Sequence, residues 1–137
     1  MKKDKRFKND FNIKDFTKRK NNTTYYNPDL YFESDDEVIF VEHSSTGDRK
    51  VHIGELCQFV TVTTELPKSM ILVLDGTSKN APSVKGEASR LKYYFNRSFK
   101  ESIIKDIKFI GVIRNTQNIN ELACDELKKK CEVVYSK

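Results

Sequence analysis

The chain has 137 residues, with 25 Lys or Arg against 20 Asp or Glu, and a formal net charge of +5. Hydrophobic residues make up 37% of it, which is enough for one domain with a buried core and excludes a chain that is disordered throughout. No run of about 18 apolar residues occurs, and the basic N-terminus lacks the apolar core of a signal peptide. We therefore expect no membrane span and a cytoplasmic location. Cys57, Cys124 and Cys131 are too widely spaced for a disulfide framework or a zinc knuckle, so we expect reduced thiols.

The positive charge is concentrated at the beginning of the chain. Residues 1–22 hold nine Lys or Arg and three Asp, and the remaining chain holds 16 basic and 17 acidic residues. Basic segments of this kind bind phosphate backbones through counterion release, although a solvated tail that only aids solubility is the alternative. We predict a flexible arm over residues 1–10, a short helix over Phe11–Arg19, and one α/β domain over residues 23–137. The predicted nucleic-acid contacts are Lys2, Lys3, Lys5, Arg6, Lys18, Arg19 and Lys20.

Two β-strands joined by a tight turn are predicted between residues 28 and 45. Aromatic and β-branched residues dominate Asp29–Glu33 and Val38–His43, and the polar residues Ser34–Glu37 separate them. If Asp35 and Asp36 form the turn, the numbers of facing residues sum to 71. Phe32 then faces Ile39, and Leu30 faces Val41.

The same register sets Asp29 opposite Glu42. Directly opposed residues lie on one face of a hairpin, with Cβ atoms roughly 5 Å apart. Two carboxylates that close to each other repel, and such a pair usually shares a proton or binds a cation. The alternative is two unrelated acids that face water at the strand ends.

Helices and strands alternate in the rest of the chain. Apolar residues at helical spacing predict helices, and continuous apolar runs predict strands that are buried on both faces. A capping box at Asn118 and Glu121 predicts a final helix that extends to Val134. We therefore predict an α/β fold with a mixed sheet of about four strands that starts with the hairpin and is flanked by helices. The segments after the hairpin are a helix at Val51–Thr64, a strand at Met70–Leu74, a helix at Val84–Phe99 and a strand at Phe109–Ile113.

Pro28 and Asp29 at the start of the hairpin, followed by Glu42-His43-Ser44 at the end of its second strand, resemble the PD-(D/E)xK nuclease motif. The order of elements over about residues 11–115 also resembles the restriction-endonuclease-like core. The resemblance implies that Asp29 and Glu42 bind Mg²⁺ or Mn²⁺, with the backbone carbonyl of His43 completing the coordination. Ser44 stands where the family has a lysine that helps to activate water, and Lys50 or Gln58 would take its place.

Three functions are compatible with these patterns. The first is a Mg²⁺-dependent nuclease acting on DNA, with RNA left open; small members of the family often act as homodimers. The second is a non-catalytic nucleic-acid-binding module that has lost its chemistry with the lysine, which Ser44 favours. The third is an interaction protein without a nucleic-acid partner, against which the basic segment argues.

Overall fold

A computed structural model of the protein describes residues 5–21, 25–45, 49–75 and 83–137. Within these ranges, six strands form one mixed sheet in the order β1-β2-β3-β4-β5-β6. The strands are β1 (Thr17–Arg19), β2 (Leu30–Glu33), β3 (Val38–Ser44), β4 (Lys68–Leu74), β5 (Ile107–Arg114) and β6 (Glu132–Ser136). The helices are α1 (Lys5–Asp10), α2 (Arg49–Thr61), α3 (Val84–Ser98), α4 (Glu101–Ile104) and α5 (Cys124–Lys129), and Gln117–Ile119 forms a 3₁₀ turn.

Three parallel strands form the centre of the sheet. β3, β4 and β5 run in the same direction, whereas β1, β2 and β6 pair antiparallel with their neighbours. The helices α2 and α3 lie between these parallel strands in the chain, and both pack on the same face of the sheet. Every residue of β3 and β4 is buried, and for Met70–Leu74 of β4 the continuous apolar run predicted this.

A hydrophobic core fills each face of the sheet. On the first face, Phe40 and Met70 pack with Leu56 of α2 and Leu91 of α3. On the second face, Phe7 of α1 belongs to a cluster that also contains residues of β2, β4 and α5. Adjacent residues of β3 therefore belong to different cores, because successive side chains of a strand face opposite sides of the sheet.

The α/β class and the hairpin are confirmed. β2 and β3 pair antiparallel, with Leu30 opposite Val41 and Phe32 opposite Ile39, which is the predicted register. The number of strands was wrong, because the described residues form six strands and not about four.

Both additional strands were predicted as helix. Thr17–Arg19 forms the edge strand β1, and the final helix α5 ends at Lys129 before β6 begins at Glu132. The predicted capping box was also wrong: Asn118 lies in the 3₁₀ turn, and Glu121 has a φ of 57°. Hydrogen bonds to a neighbouring strand decide these short segments, and local helical spacing does not detect them.

The predicted flexible arm is partly folded. Lys5–Asp10 forms α1, and Phe7 is buried together with Phe11 and Ile13 on the second face of the sheet. The rings of Phe7 and Phe11 stack with their centroids 4.8 Å apart. Burial of these aromatic side chains holds this described part of the basic segment against the domain.

Candidate metal-binding and catalytic site

Three carboxylates converge on the first face of the sheet. Among the described residues, Asp29, Glu42 and Glu55 each offer an oxygen atom, and these atoms all lie within 4.8 Å of one another. Asp29 directly precedes β2, Glu42 belongs to β3 and Glu55 belongs to α2. The structure thus brings together the two acids of the predicted pair and adds a third that we did not predict.

Backbone hydrogen bonds fix the pair from the hairpin. The Asp29 N–H donates to Glu42 Oε1 at 2.9 Å, and the His43 N–H donates to Asp29 Oδ2 at 2.8 Å. The Asp29 carboxylate is therefore held by β3, and the Glu42 carboxylate by the residue just before β2. Phe40 and Leu56 lie in the core on the α2 side, so Glu42, two residues after Phe40, also points toward α2 and reaches Glu55.

The environment of this cluster is strongly negative. Tyr26 is buried nearby, and its pKa is raised well above 10 by burial, then by the charges of Glu42, Glu55 and Asp29. Lys8 Nζ of α1 lies 3.5 Å from Asp29 Oδ1 and brings a positive charge to the edge of the cluster. Carboxylate oxygens are the ligands that Mg²⁺ and Mn²⁺ prefer, so the donor set fits such a cation.

The His43 side chain points away from the carboxylates. Its ring stacks on Phe7 with centroids 4.1 Å apart, on the second face of the sheet. His43 Nε2 lies 2.6 Å from Asp75 Oδ2, without the geometry of a hydrogen bond. Coordination by the His43 carbonyl stays a prediction, since the contact observed at the site is that of its N–H.

Ser44, at the position of the motif lysine, belongs to a buried chain of polar groups. Ser44 Oγ lies 2.8 Å from His52 Nε2, and His52 Nδ1 lies 2.9 Å from Glu87 Oε2. Arg90 Nη1 donates to Glu87 Oε1 at 2.5 Å. Hydroxyl, imidazole and carboxylate follow one another as in a hydrolase triad, but Ser44 is only 2% exposed. A nucleophile must contact its substrate, and a buried hydroxyl cannot. We therefore assign these polar groups a structural role, in which they link β3, α2 and α3.

The two candidate substitutes for the lysine lie on different flanks of α2. Lys50 lines a cavity of about 730 Å³ toward α3. Gln58 lines a separate cavity of about 430 Å³ that also includes Tyr26. Gln58 lies three residues after Glu55, on the same flank of α2, and the role of either residue as a substitute for the lysine stays a prediction.

The described basic residues of the predicted nucleic-acid surface lie on and just after β1. Lys18 Nζ donates to the Lys8 carbonyl at 2.9 Å, and burial lowers the pKa of Lys18 despite the charge of Asp10. Arg19 Nε lies 3.7 Å from Glu33 Oε2, and Lys20 is exposed. Because β1 runs antiparallel to β2, this segment proceeds toward the Asp29 end of β2. Lys2 and Lys3, and the side chains of Lys5 and Arg6, lie outside the described part of the chain.

Sequence reasoning missed Glu55, His52 and Glu87. For Glu87 a signal was available, because it lies on the apolar stripe that Val84 and Leu91 define, where a charged residue needs a partner. Glu55 gave no comparable signal, since it borders the apolar face of its helix without belonging to it.

Comparison of the chain with protein-family models, with curated proteins and with solved structures found no match. The geometry described above is therefore the basis for assigning a function. In the described ranges, no helix is both long enough and apolar enough to cross a membrane.

Proposed function

We propose that the protein is a metal-dependent nuclease that hydrolyses phosphodiester bonds in DNA. Asp29, Glu42 and Glu55 would hold Mg²⁺ or Mn²⁺. The observation that supports this proposal is the convergence of these carboxylates, within 4.8 Å, from three separate elements of the fold. The mixed sheet that includes the hairpin is compatible with a restriction-endonuclease-like fold.

The bound cation would supply an activated water and would stabilise negative charge on the scissile phosphate. The residues of the chain keep the ligands in place. The His43 N–H orients the Asp29 carboxylate, and the Asp29 N–H orients that of Glu42. Lys8 adds a positive charge at the Asp29 side, where a phosphate approaching the cluster would be attracted.

A second candidate function is nucleic-acid binding without catalysis. Ser44 replaces the motif lysine, and its hydroxyl is within hydrogen-bond distance of His52. In this case Asp29→Ala would leave DNA binding unchanged or would strengthen it, because the substitution removes a negative charge.

The test is incubation with plasmid DNA, branched DNA and RNA, in Mg²⁺, Mn²⁺ or EDTA. We expect metal-dependent cleavage by the wild type. We expect about a 100-fold or greater loss in Asp29→Asn, Glu42→Gln and Glu55→Gln, because the cation contributes several kcal/mol to the transition state. Glu132→Gln is the matched control, since Glu132 is exposed on β6.

Each of the other outcomes assigns a different function. If no nucleic acid is cleaved while salt-sensitive binding persists, the protein is a binding module. If nothing binds at low salt, neither nucleic-acid function holds, and an interaction protein remains. Homodimer formation and the choice of DNA over RNA stay predictions that the sizing of complexes and the RNA arm of the assay will test.

A further inference from the structure

An exposed aromatic ring lies beside the carboxylate cluster. Tyr25 is 90% exposed, more than any other large apolar residue in the described part of the chain. It lines the cavity of about 430 Å³ together with Tyr26, Gln58 and Thr61–Thr63, where α2 ends. An aromatic side chain that is almost fully in water gains free energy when another flat group covers it.

This cavity and the carboxylate cluster share a wall. Tyr26 lines the cavity, and its ring lies 5.1 Å, centroid to centroid, from that of Phe40, which is two residues before Glu42 on the same face of β3. Gln58 lies three residues after Glu55, one turn farther along the same flank of α2. A group held in the cavity is thus a close neighbour of a phosphate held at the carboxylates.

We infer, on the basis of the proposed function, that the cavity receives an unpaired nucleobase that stacks on Tyr25. The phosphate next to that nucleotide then lies at the carboxylate cluster. Every base has a flat face, so this contact accepts any sequence. A base inside a duplex is covered on both faces by its neighbours and cannot enter. The preferred substrate is therefore a single strand, or a duplex with an unpaired nucleotide at the cleaved position.

The larger cavity between α2 and α3 is less suited to this role. It contains Tyr93 and Tyr94, but the Arg97 guanidinium already covers the Tyr93 ring at 3.8 Å. The edge of one tyrosine ring contacts the other, with centroids 5.2 Å apart. This cavity also lies on the flank of α2 away from Glu55, so Tyr94, which is 46% exposed, provides a matched control.

The test compares Tyr25→Leu, Tyr25→Phe and Tyr94→Leu in the full chain. Binding of labelled oligonucleotides is measured with Ca²⁺ in place of Mg²⁺, so that a cation offsets the charge of the carboxylates, and a gel checks that each probe stays intact. The three probes are a single strand, a perfect duplex and a duplex with one unpaired nucleotide. A 2-aminopurine at the unpaired position reports stacking directly through its fluorescence.

We expect Tyr25→Leu to weaken binding of the single strand and of the unpaired-nucleotide duplex by about tenfold. Its binding to the perfect duplex and its thermal unfolding should match those of the wild type. Tyr25→Phe and Tyr94→Leu should bind all three probes within about twofold of the wild type. Equal binding of the single strand by Tyr25→Leu and the wild type would overturn the inference.

The result is separable from the nuclease test. If the wild type cleaves DNA but Tyr25→Leu binds and cleaves as the wild type does, the base-binding inference fails while the proposed function stands. If no cleavage occurs but Tyr25-dependent binding of single strands is found, the proposed chemistry fails and the base-binding cavity is supported.

Discussion

Glu55→Gln is predicted to stabilise the protein in EDTA, because it neutralises the member of the carboxylate cluster that comes from α2. At the 4.8 Å limit that bounds the cluster, two like charges repel by about 0.9 kcal/mol in water and about 3.5 kcal/mol at an effective dielectric constant of 20. Glu55 is half-buried, so we expect a net gain of about 1–3 kcal/mol in the free energy of unfolding. For a chain of this length, that gain raises the melting temperature by roughly 3–6 °C per kcal/mol.

Adding a divalent cation should cancel most or all of this advantage. A ligand at 100 times its Kd stabilises the folded state by about 2.7 kcal/mol, and Glu55→Gln should lose most of this gain. Circular dichroism melts of the wild type, Glu55→Gln and the control Glu132→Gln, with EDTA and then with Mn²⁺, measure both effects. A melting temperature of Glu55→Gln in EDTA at or below that of the wild type, with equal stabilisation by Mn²⁺, would refute the reasoning.

Three further predictions concern other parts of the molecule. Lys8→Gln removes the ammonium 3.5 Å from Asp29, which would compete with a cation for that carboxylate, and should tighten Mn²⁺ binding about two- to fivefold, measured by calorimetry. Weaker binding by the variant would contradict this competition. Gly111→Ala places a Cβ 2.6 Å from the Phe109 ring and should destabilise the fold by about 1–3 kcal/mol in urea unfolding; an unchanged midpoint would oppose this. Burial lowers the pKa of Lys68 from 10.5 to about 8. The unfolded chain therefore binds more protons between these values, and the wild type should gain stability relative to Lys68→Met as pH rises from about 8 to 10. A difference in unfolding free energy between the two proteins that does not change over this pH range would contradict the lowered pKa.

The hairpin was predictable because its signals are local. Four polar residues separate two β-prone segments, and the length of the turn fixes which residues face each other. The approach of Asp29 to Glu42 follows from that register, one step beyond the last paired residues of the ladder, Leu30 and Val41.

The third carboxylate could not be predicted in the same way. Whether Glu55 or Gln58 points to the cluster depends on how α2 is rotated against the sheet. That rotation follows from the packing of Leu56 and Phe59 into the core, which brings together residues distant in the sequence. The link from Ser44 to Glu87 likewise depends on the packing of α3.

The edge strands show the limits of composition and periodicity. Thr17–Arg19 is a short polar segment, and its strand conformation comes from pairing with β2. Charge alone did not reveal that Phe7 of α1 stacks on His43. A buried aromatic in a polar segment contributes more to the fold than the average hydropathy of that segment indicates.

The central claim is that Asp29, Glu42 and Glu55 hold one divalent cation, and paramagnetic broadening by Mn²⁺ tests it most directly. In a proton–nitrogen correlation spectrum with Mn²⁺ below one equivalent, the amide signals of these three residues should broaden first. The Glu55→Gln variant should lose that selectivity. Earlier broadening at the exposed acidic turn, Asp35 and Asp36, or uniform broadening across the spectrum, would contradict the claim.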